Sequence, residues 1–467
     1  MITHKPFWVV VVAAALAPVA PGQSVKGSLL VTTDTLFGEA QGDHFGWRVA
    51  PAGDVNGDGI ADLVAGAPSA LRGGLQSGRC YLFHGPIDRP MSAEHADVIF
   101  HGEDDADTLY TGVSIDANDD GIADVMLGAP GHDSPVRNAG RVYVFHGPVR
   151  EGVFDARRAN ATISGVNEYD RVAAVLAAGD VNGDGIDDAV LGCPGASVHG
   201  RVFVMYGPLR RRQSVADAGV VVTPALPFEN LGIALATADL NGDGRGDLII
   251  GAPAAPIDQT PPGRVYIFFG PVSGTMSAAA ADVIIEGEDD NDRLGSAAAA
   301  GDFNGDGIAD LVVGADQFYY SPGTGKAHVF YGPLQAGFRN ARAADAVLTG
   351  EVARDQFGFS AASAGDMNGD GFDEVLIGAP GFGDGDAGRA YFFFGPPGGV
   401  MHGAEADLTI DGERLDWLGY SVAGVGDVDG DGIADAALGG PAHPAAEGAG
   451  TATVVRPGGS TPAVRRR

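Results

Sequence analysis

One pattern, D-x-[ND]-x-D-G-x-x-[DE], recurs seven times in this chain and limits its fold more than any other feature. The copies begin at Asp54, Asp116, Asp180, Asp239, Asp302, Asp366 and Asp427, so the six intervals between them average about 62 residues. Other elements return in fixed order around each copy. In the fifth these are Asp282–Gly287, Leu294–Ala297, the acidic loop Asp302–Asp310, Leu311–Gly314 and Gly325–Gly332. The apolar stretches are short, rich in Val, Ile, Phe and Tyr, and bounded by Gly, Pro or Asp, which is the signature of strands. No stretch holds a helical period. Four strands per repeat, seven times over, predict an all-β chain folded as a seven-bladed propeller with four-stranded blades. The last repeat stops after its third strand, Thr451–Val455, while Ser28–Thr32 resembles the outer strand that opens later repeats. An N-terminal strand completing the last blade would close the ring and hide both sheet edges.

Each acidic loop offers side-chain oxygens at positions 1, 3, 5 and 9 and a backbone carbonyl at position 7. That set suits a hard cation and favours Ca²⁺ over the smaller, more rigidly octahedral Mg²⁺. The candidate ligands are Asp54, Asn56, Asp58, Ile60 and Asp62; Asp116, Asn118, Asp120, Ile122 and Asp124; Asp180, Asn182, Asp184, Ile186 and Asp188; Asp239, Asn241, Asp243, Arg245 and Asp247. Loops five to seven add Asp302, Asn304, Asp306, Ile308 and Asp310; Asp366, Asn368, Asp370, Phe372 and Glu374; Asp427, Asp429, Asp431, Ile433 and Asp435. Up to seven Ca²⁺ are expected. Glycine at position 6, as in Gly59, allows the sharp turn. An EF-hand would need a bidentate Glu at position 12, where these copies carry only apolar residues, from Ala65 to Leu438. Three copies depart from the pattern: Asp119 replaces glycine at position 4, Glu374 ends the sixth loop, and Asp429 replaces Asn in the seventh.

The formal charge is −32, from 29 Lys+Arg against 61 Asp+Glu, which argues against nucleic acid as a partner. A basic start, the apolar run Phe7–Ala17 and small residues to Gly22 predict a secretory signal over 1–22. A propeller is then expected over 23–457 and a disordered basic tail over 458–467. No transmembrane span is expected, and the chain is read as secreted or displayed at the cell surface. Losing Lys5 with the signal leaves about −33, and seven Ca²⁺ would bring this to about −19. Cys80 and Cys193 fall at different places in their repeats, which points to buried free thiols.

The repeats resemble the FG-GAP repeats of integrin α-subunit propellers. Phe45-Gly46 leads to Gly66-Ala67-Pro68 and Phe357-Gly358 to Gly378-Ala379-Pro380. Weaker copies run from Leu294-Gly295 to Gly314-Ala315-Asp316 and from Leu418-Gly419 to Gly439-Gly440-Pro441, and repeat three has lost the Phe-Gly pair (Arg171-Val172). The resemblance implies calcium loops between strands one and two on the lower face, and a ligand on the upper face. There it would meet the acidic stretches Glu103–Asp107 and Glu288–Asp292 and the variable Ser69–Ser77, Gly131–Ala139 and Ala254–Pro262. Missing stalk, inserted adhesion domain and membrane span make a full integrin subunit and a β-subunit partner unexpected. Arg245-Gly246-Asp247 spells a cell-attachment tripeptide but falls inside the fourth metal loop, so it is read as coincidence. Asn160-Ala161-Thr162 is a lone glycosylation sequon.

No H-E-x-x-H or G-x-S-x-G motif occurs, and the carboxylates concentrate in the metal loops. The expectation is therefore a monomeric, non-enzymatic calcium-binding module for adhesion to a protein or glycan ligand. The alternatives are a propeller enzyme with a central-channel site and a passive structural surface component.

Overall fold

The second strand of each repeat, such as Asp62–Ala67, is buried along its whole length, because neighbouring blades cover both of its faces. That explains why these strands read as continuous apolar runs without alternation. In a computed structural model the chain is described over residues 31–458, apart from 134, 197–198, 254–261, 318–322 and 443–447. Seven sheets form, with three-residue 3₁₀ turns among the described residues between them. The fold is a seven-bladed β-propeller. The predicted signal over 1–22, residues 459–467 of the predicted tail, and most of the variable stretch 254–262 lie outside the described residues.

Blade one shows the common plan. Its inner strand Arg48–Gly53 pairs antiparallel with Asp62–Ala67, then come Arg79–Phe83 and the outer strand Val98–His101. The expected four strands are corrected here, because six of the seven sheets hold five. The fifth belongs to the next repeat: Gly152–Asp155 adds in parallel outside Val98–His101, and Gly274–Ser277, Gly337–Asn340 and Gly399–His402 repeat the arrangement. Segments such as Gly274-Thr-Met-Ser are too short and polar to announce a strand; they form because an exposed outer edge awaits pairing. Only the sixth blade, ending at Leu408–Asp411, has four strands among the described residues.

Ring closure follows the expected route. Val31–Phe37 pairs antiparallel with Thr451–Pro457 in the seventh blade, and Met91–Ser92 of the first repeat adds outside it. The closing strand therefore runs further than the expected Ser28–Thr32, whose first three residues lie outside the described set. Blade-to-blade packing accounts for the glycine of each Gly-Ala-Pro. A Cβ on Gly66 would sit 1.7 Å from the Tyr110 carbonyl oxygen of the next blade, and one on Gly439 would sit 2.0 Å from the Gly46 oxygen across the ring junction. Cys80 and Cys193 are free and fully buried, as expected.

Candidate metal centres

All seven acidic loops join inner to second strands on one face, and their residues take the same burial pattern. Positions 1, 3 and 7 are mostly half-buried, position 5 is exposed, and the position-9 carboxylate is fully buried in every blade. In the first loop Asp54 Oδ1 accepts hydrogen bonds from the Gly57 and Asp58 amides, and Oδ2 accepts from Gly59. Asn56 Oδ1 accepts from the Asp58 amide, and Asp58 Oδ1 accepts from Ile60. The same net recurs around Asp180, Asp239, Asp302, Asp366 and Asp427. These bonds curl the chain so that oxygens at positions 1, 3, 5 and 9 converge.

The second loop is the exception. Asp119 stands in the left-handed region at φ 61°, where the other loops use glycine. Among the described residues Asn118 Oδ1 has no partner, whereas Asn56 Oδ1 and Asn182 Oδ1 each accept an amide.

The position-9 carboxylates divide into two groups. In blades one to five one oxygen accepts from the amide at position 2 or 3, and the other from the glycine of the Gly-Pro pair after the third strand. Among the described residues, the second donor is missing in blades six and seven, so Glu374 Oε1 and Asp435 Oδ1 are buried without a partner there. Burial raises the pKa of these groups: Asp62, Asp188, Asp247 and Asp310 to about 6, Asp435 to about 7 and Glu374 to about 8. Asp124 moves in the same direction. A buried anionic oxygen without a donor is costly, and a divalent cation is the partner that removes the cost. In these two loops the carboxylate oxygens of Asp366, Asp370 and Glu374, and of Asp427, Asp429 and Asp435, also lie within 4.8 Å of one another. An oxygen-only donor set of this kind fits a hard cation.

Three local details could not be read from sequence. The extra charge of Asp429 is matched by Arg456, whose Nη1 donates to it at 2.8 Å while Nη2 donates to Asp34 of the closing strand. Position 7 has a second job, because the side chains of Ile60, Ile308 and Phe372 lie over the position-4 glycine of the preceding loop (Gly430, Gly242 and Gly305). Amides after the Gly-Pro pairs also reach back to the previous loop: Val149 donates to the Val55 oxygen, and Ile87 to the Val428 oxygen across the ring junction. The loops are thus tied edge to edge.

The opposite face carries the acidic stretches expected to meet a ligand. Much of their charge is spent internally. Glu103 pairs with Arg141 and Arg157, Glu288 with Lys326 and His328, and Glu351 with Arg389, while Asp107 and Asp292 are buried. Arg157 lies in the 3₁₀ turn Ala156–Arg158, whereas Arg79, Arg141, Lys326 and Arg389 open third strands, and the recurrent basic residue there was the overlooked signal. Hydrogen bonds from His328 and Lys326 hold the Glu288 carboxyl down at about 2. Arg245-Gly246-Asp247 cannot be read as an attachment tripeptide, since Asp247 is fully buried and accepts from the Leu240 and Gly270 amides.

A ring of seven blades with an acidic loop at the same corner of each defines a class of repeat propeller, and comparison with known proteins places the chain within it. Residues 45–83, 109–145, 231–268, 294–330 and 357–393 match the FG-GAP repeat, so five of the seven blades carry matched FG-GAP repeats. Human phosphatidylinositol-glycan-specific phospholipase D is 34% identical over 220 residues, covering 43% of this chain and 25% of that protein. Integrin alpha pat-2 of Caenorhabditis briggsae is 31% identical over 279 residues, covering 55% of this chain and 21% of the integrin. Mouse integrin alpha-E is 36% identical over 166 residues, or 33% and 14% of the two chains. The chain thus spans a quarter or less of these relatives. The expectation that the chain is not an enzyme is contradicted, because these relatives include phospholipases D, which are enzymes by name. Sequence motifs missed this because a family tie of this kind rests on the repeated scaffold, which carries no reaction signature.

Proposed function

We propose that this chain is an exported binding module in which up to seven Ca²⁺ brace one face of the ring and a protein or glycan ligand is taken on the other. The proposed organisation is a leader over 1–22, the ring over 23–457 and a basic tail over 458–467. The observation that carries the metal reading is the pair of buried, unpartnered oxygens on Glu374 and Asp435. Position-1, -3, -5 and -9 oxygens with the position-7 carbonyl would form each shell, and the ion would supply the positive charge that the buried carboxylates lack. Ligand exchange between blades is not required for this role; the ion stiffens the loop. Thermal melting with calcium and with chelator tests it. Calcium is expected to raise the melting temperature by several degrees, and an unchanged melt in chelator would sink the reading.

The relatives named as phosphatidylinositol-glycan-specific phospholipases support two refinements. They favour a glycan-bearing ligand over a bare protein surface, and they favour a second reading in which the propeller serves a hydrolytic reaction. Release of a glycosylphosphatidylinositol-anchored reporter from vesicles, assayed with this chain and calcium, checks the second.

A further inference from the structure

Repeat symmetry makes departures from it informative, and the largest one lies at the channel mouth opposite the metal loops. The residue that follows the Phe-Gly position is Thr111, Ala174, Ile233 and Ser296 in blades two to five, but Phe359, Tyr420 and Trp47 in blades six, seven and one. Three adjacent blades therefore raise an aromatic wall that the repeat itself does not need. Tyr420 is its hub: ring centroids lie 4.7 Å from Trp47, 4.9 Å from Phe359 and 5.8 Å from Trp417, the last nearly coplanar at 7°. All four side chains are half-buried, so each keeps solvent-facing surface.

Below this wall the channel opens as a cavity of about 1000 Å³. Its floor is lined by small inner-strand residues such as Ala177, Ala298 and Ala362, which leave the space unfilled. The charged residues on its lining are Arg48, Arg293, Asp316 and Asp386, two of each sign, and Arg293 and Asp316 pair at 2.7 Å. In a chain of formal charge −32 a balanced lining is a local exception. It offers neither the net negative field that would hold a cationic peptide nor the positive one that would hold a phosphate. What remains is flat aromatic surface beside hydrogen-bonding groups, including Gln356, around a roomy cavity. That combination suits a ligand with one apolar face and an equatorial rim of hydroxyls.

We infer that the channel mouth binds a neutral saccharide, one pyranose ring of which stacks on the wall formed by Trp47, Tyr420 and Phe359. The inference rests on the reading of the upper face as the ligand face, and it names the ligand's chemistry there.

The test uses the full chain, calcium-loaded and carrying Trp8→Phe. Only three tryptophans occur, Trp8, Trp47 and Trp417, so the remaining emission comes from the mouth alone. Cellobiose, lactose, maltose, mannobiose and N,N′-diacetylchitobiose are titrated to millimolar concentration while tryptophan emission is followed. At least one is expected to give a saturable shift. W47A and Y420A are expected to weaken it by about tenfold or more, while Y420F keeps most of it, with melting temperatures unchanged. The inference is overturned if none of the five disaccharides gives a saturable signal. It is also overturned if oligoarginine, run in parallel, binds in their place, or if W47A and Y420A leave the affinity intact. The calcium-dependent melt is read on the same samples, so failure of the saccharide site and failure of the metal reading are separately visible.

Discussion

Glu374 differs from the other position-9 residues by one methylene, and its neighbours differ by one missing amide. Together these leave Oε1 buried and unpartnered, with the carboxyl raised by burial to about 8. Replacing it with neutral glutamine should therefore act in opposite directions with and without metal. In chelator E374Q is expected to melt higher than the parent above pH 8, because a charge no longer has to be buried; in calcium its gain on metal addition should shrink, as one site is lost. Equal calcium responses of E374Q and parent would show that this loop does not bind. Backbone conformation supplies a second residue-scale prediction. The structure corrects the register of repeat three: Val172, not Arg171, pairs where Phe357 and Leu418 do, so Ala173 holds the glycine place of the Phe-Gly motif, at φ 69°, and Asp119 sits at φ 61°. A173G should raise stability by ~0.5–1 kcal/mol by relieving left-handed strain, less the entropy that glycine restores to the unfolded chain. D119G should gain less, because Asp tolerates that region better. Chemical denaturation checks both.

At the scale of elements, the ring depends on strands lent between repeats. Among the described residues, the outer edge of every blade but the sixth is covered by a segment of the next repeat, and the seventh blade is completed by Val31–Phe37 from the other end of the chain. Deleting residues 1–37 would strip the partner from Thr451–Pro457 and expose a buried strand whose Val454 and Ala452 belong to the core. The truncated chain is expected to self-associate or melt well below the parent, with partial rescue by a synthetic peptide spanning 28–40. A monomeric truncation with unchanged melting would show that closure is not needed. The ties between loops are also unequal. Ile87, Val149, Leu209, Val272 and Leu334 each donate an amide to the preceding loop, but the corresponding residue after Gly395-Pro396 is Pro397, which has no N–H. The junction between blades five and six lacks this bond for that reason.

For the whole molecule, seven buried carboxylates per ring and a large negative charge make metal and proton competing partners. In calcium-free protein the position-9 pKa values lie above the ordinary carboxyl range, so the folded state holds protons that the unfolded chain has released. This contribution to stability is fully present below about pH 4 and is lost as pH rises through 6 to 8. Calcium needs the deprotonated form and reverses the trend. The melting temperature in chelator should thus fall between pH 5 and 8, and the increment from calcium should grow over the same range at fixed ionic strength. A calcium increment independent of pH would contradict the assignment of these buried carboxylates as ligands.

The seven-fold acidic pattern, the short apolar runs and the complementary chain ends were enough to determine the propeller, its closure by the N-terminal strand and its FG-GAP repeats, because each is a local or periodic property of the chain. Fifth strands were not legible: their pairing depends on an edge supplied by another repeat, which segments like Gly274–Ser277 do not signal. The unequal loops were also invisible, since Glu374 and Asp435 are orphaned by the absence of a donor about twenty residues away in the chain. The acidic upper loops looked free in sequence and are largely ion-paired in space. Trp47, Phe359, Trp417 and Tyr420 are scattered over 370 residues and meet only because the ring closes, so the aromatic mouth is a product of the tertiary structure alone.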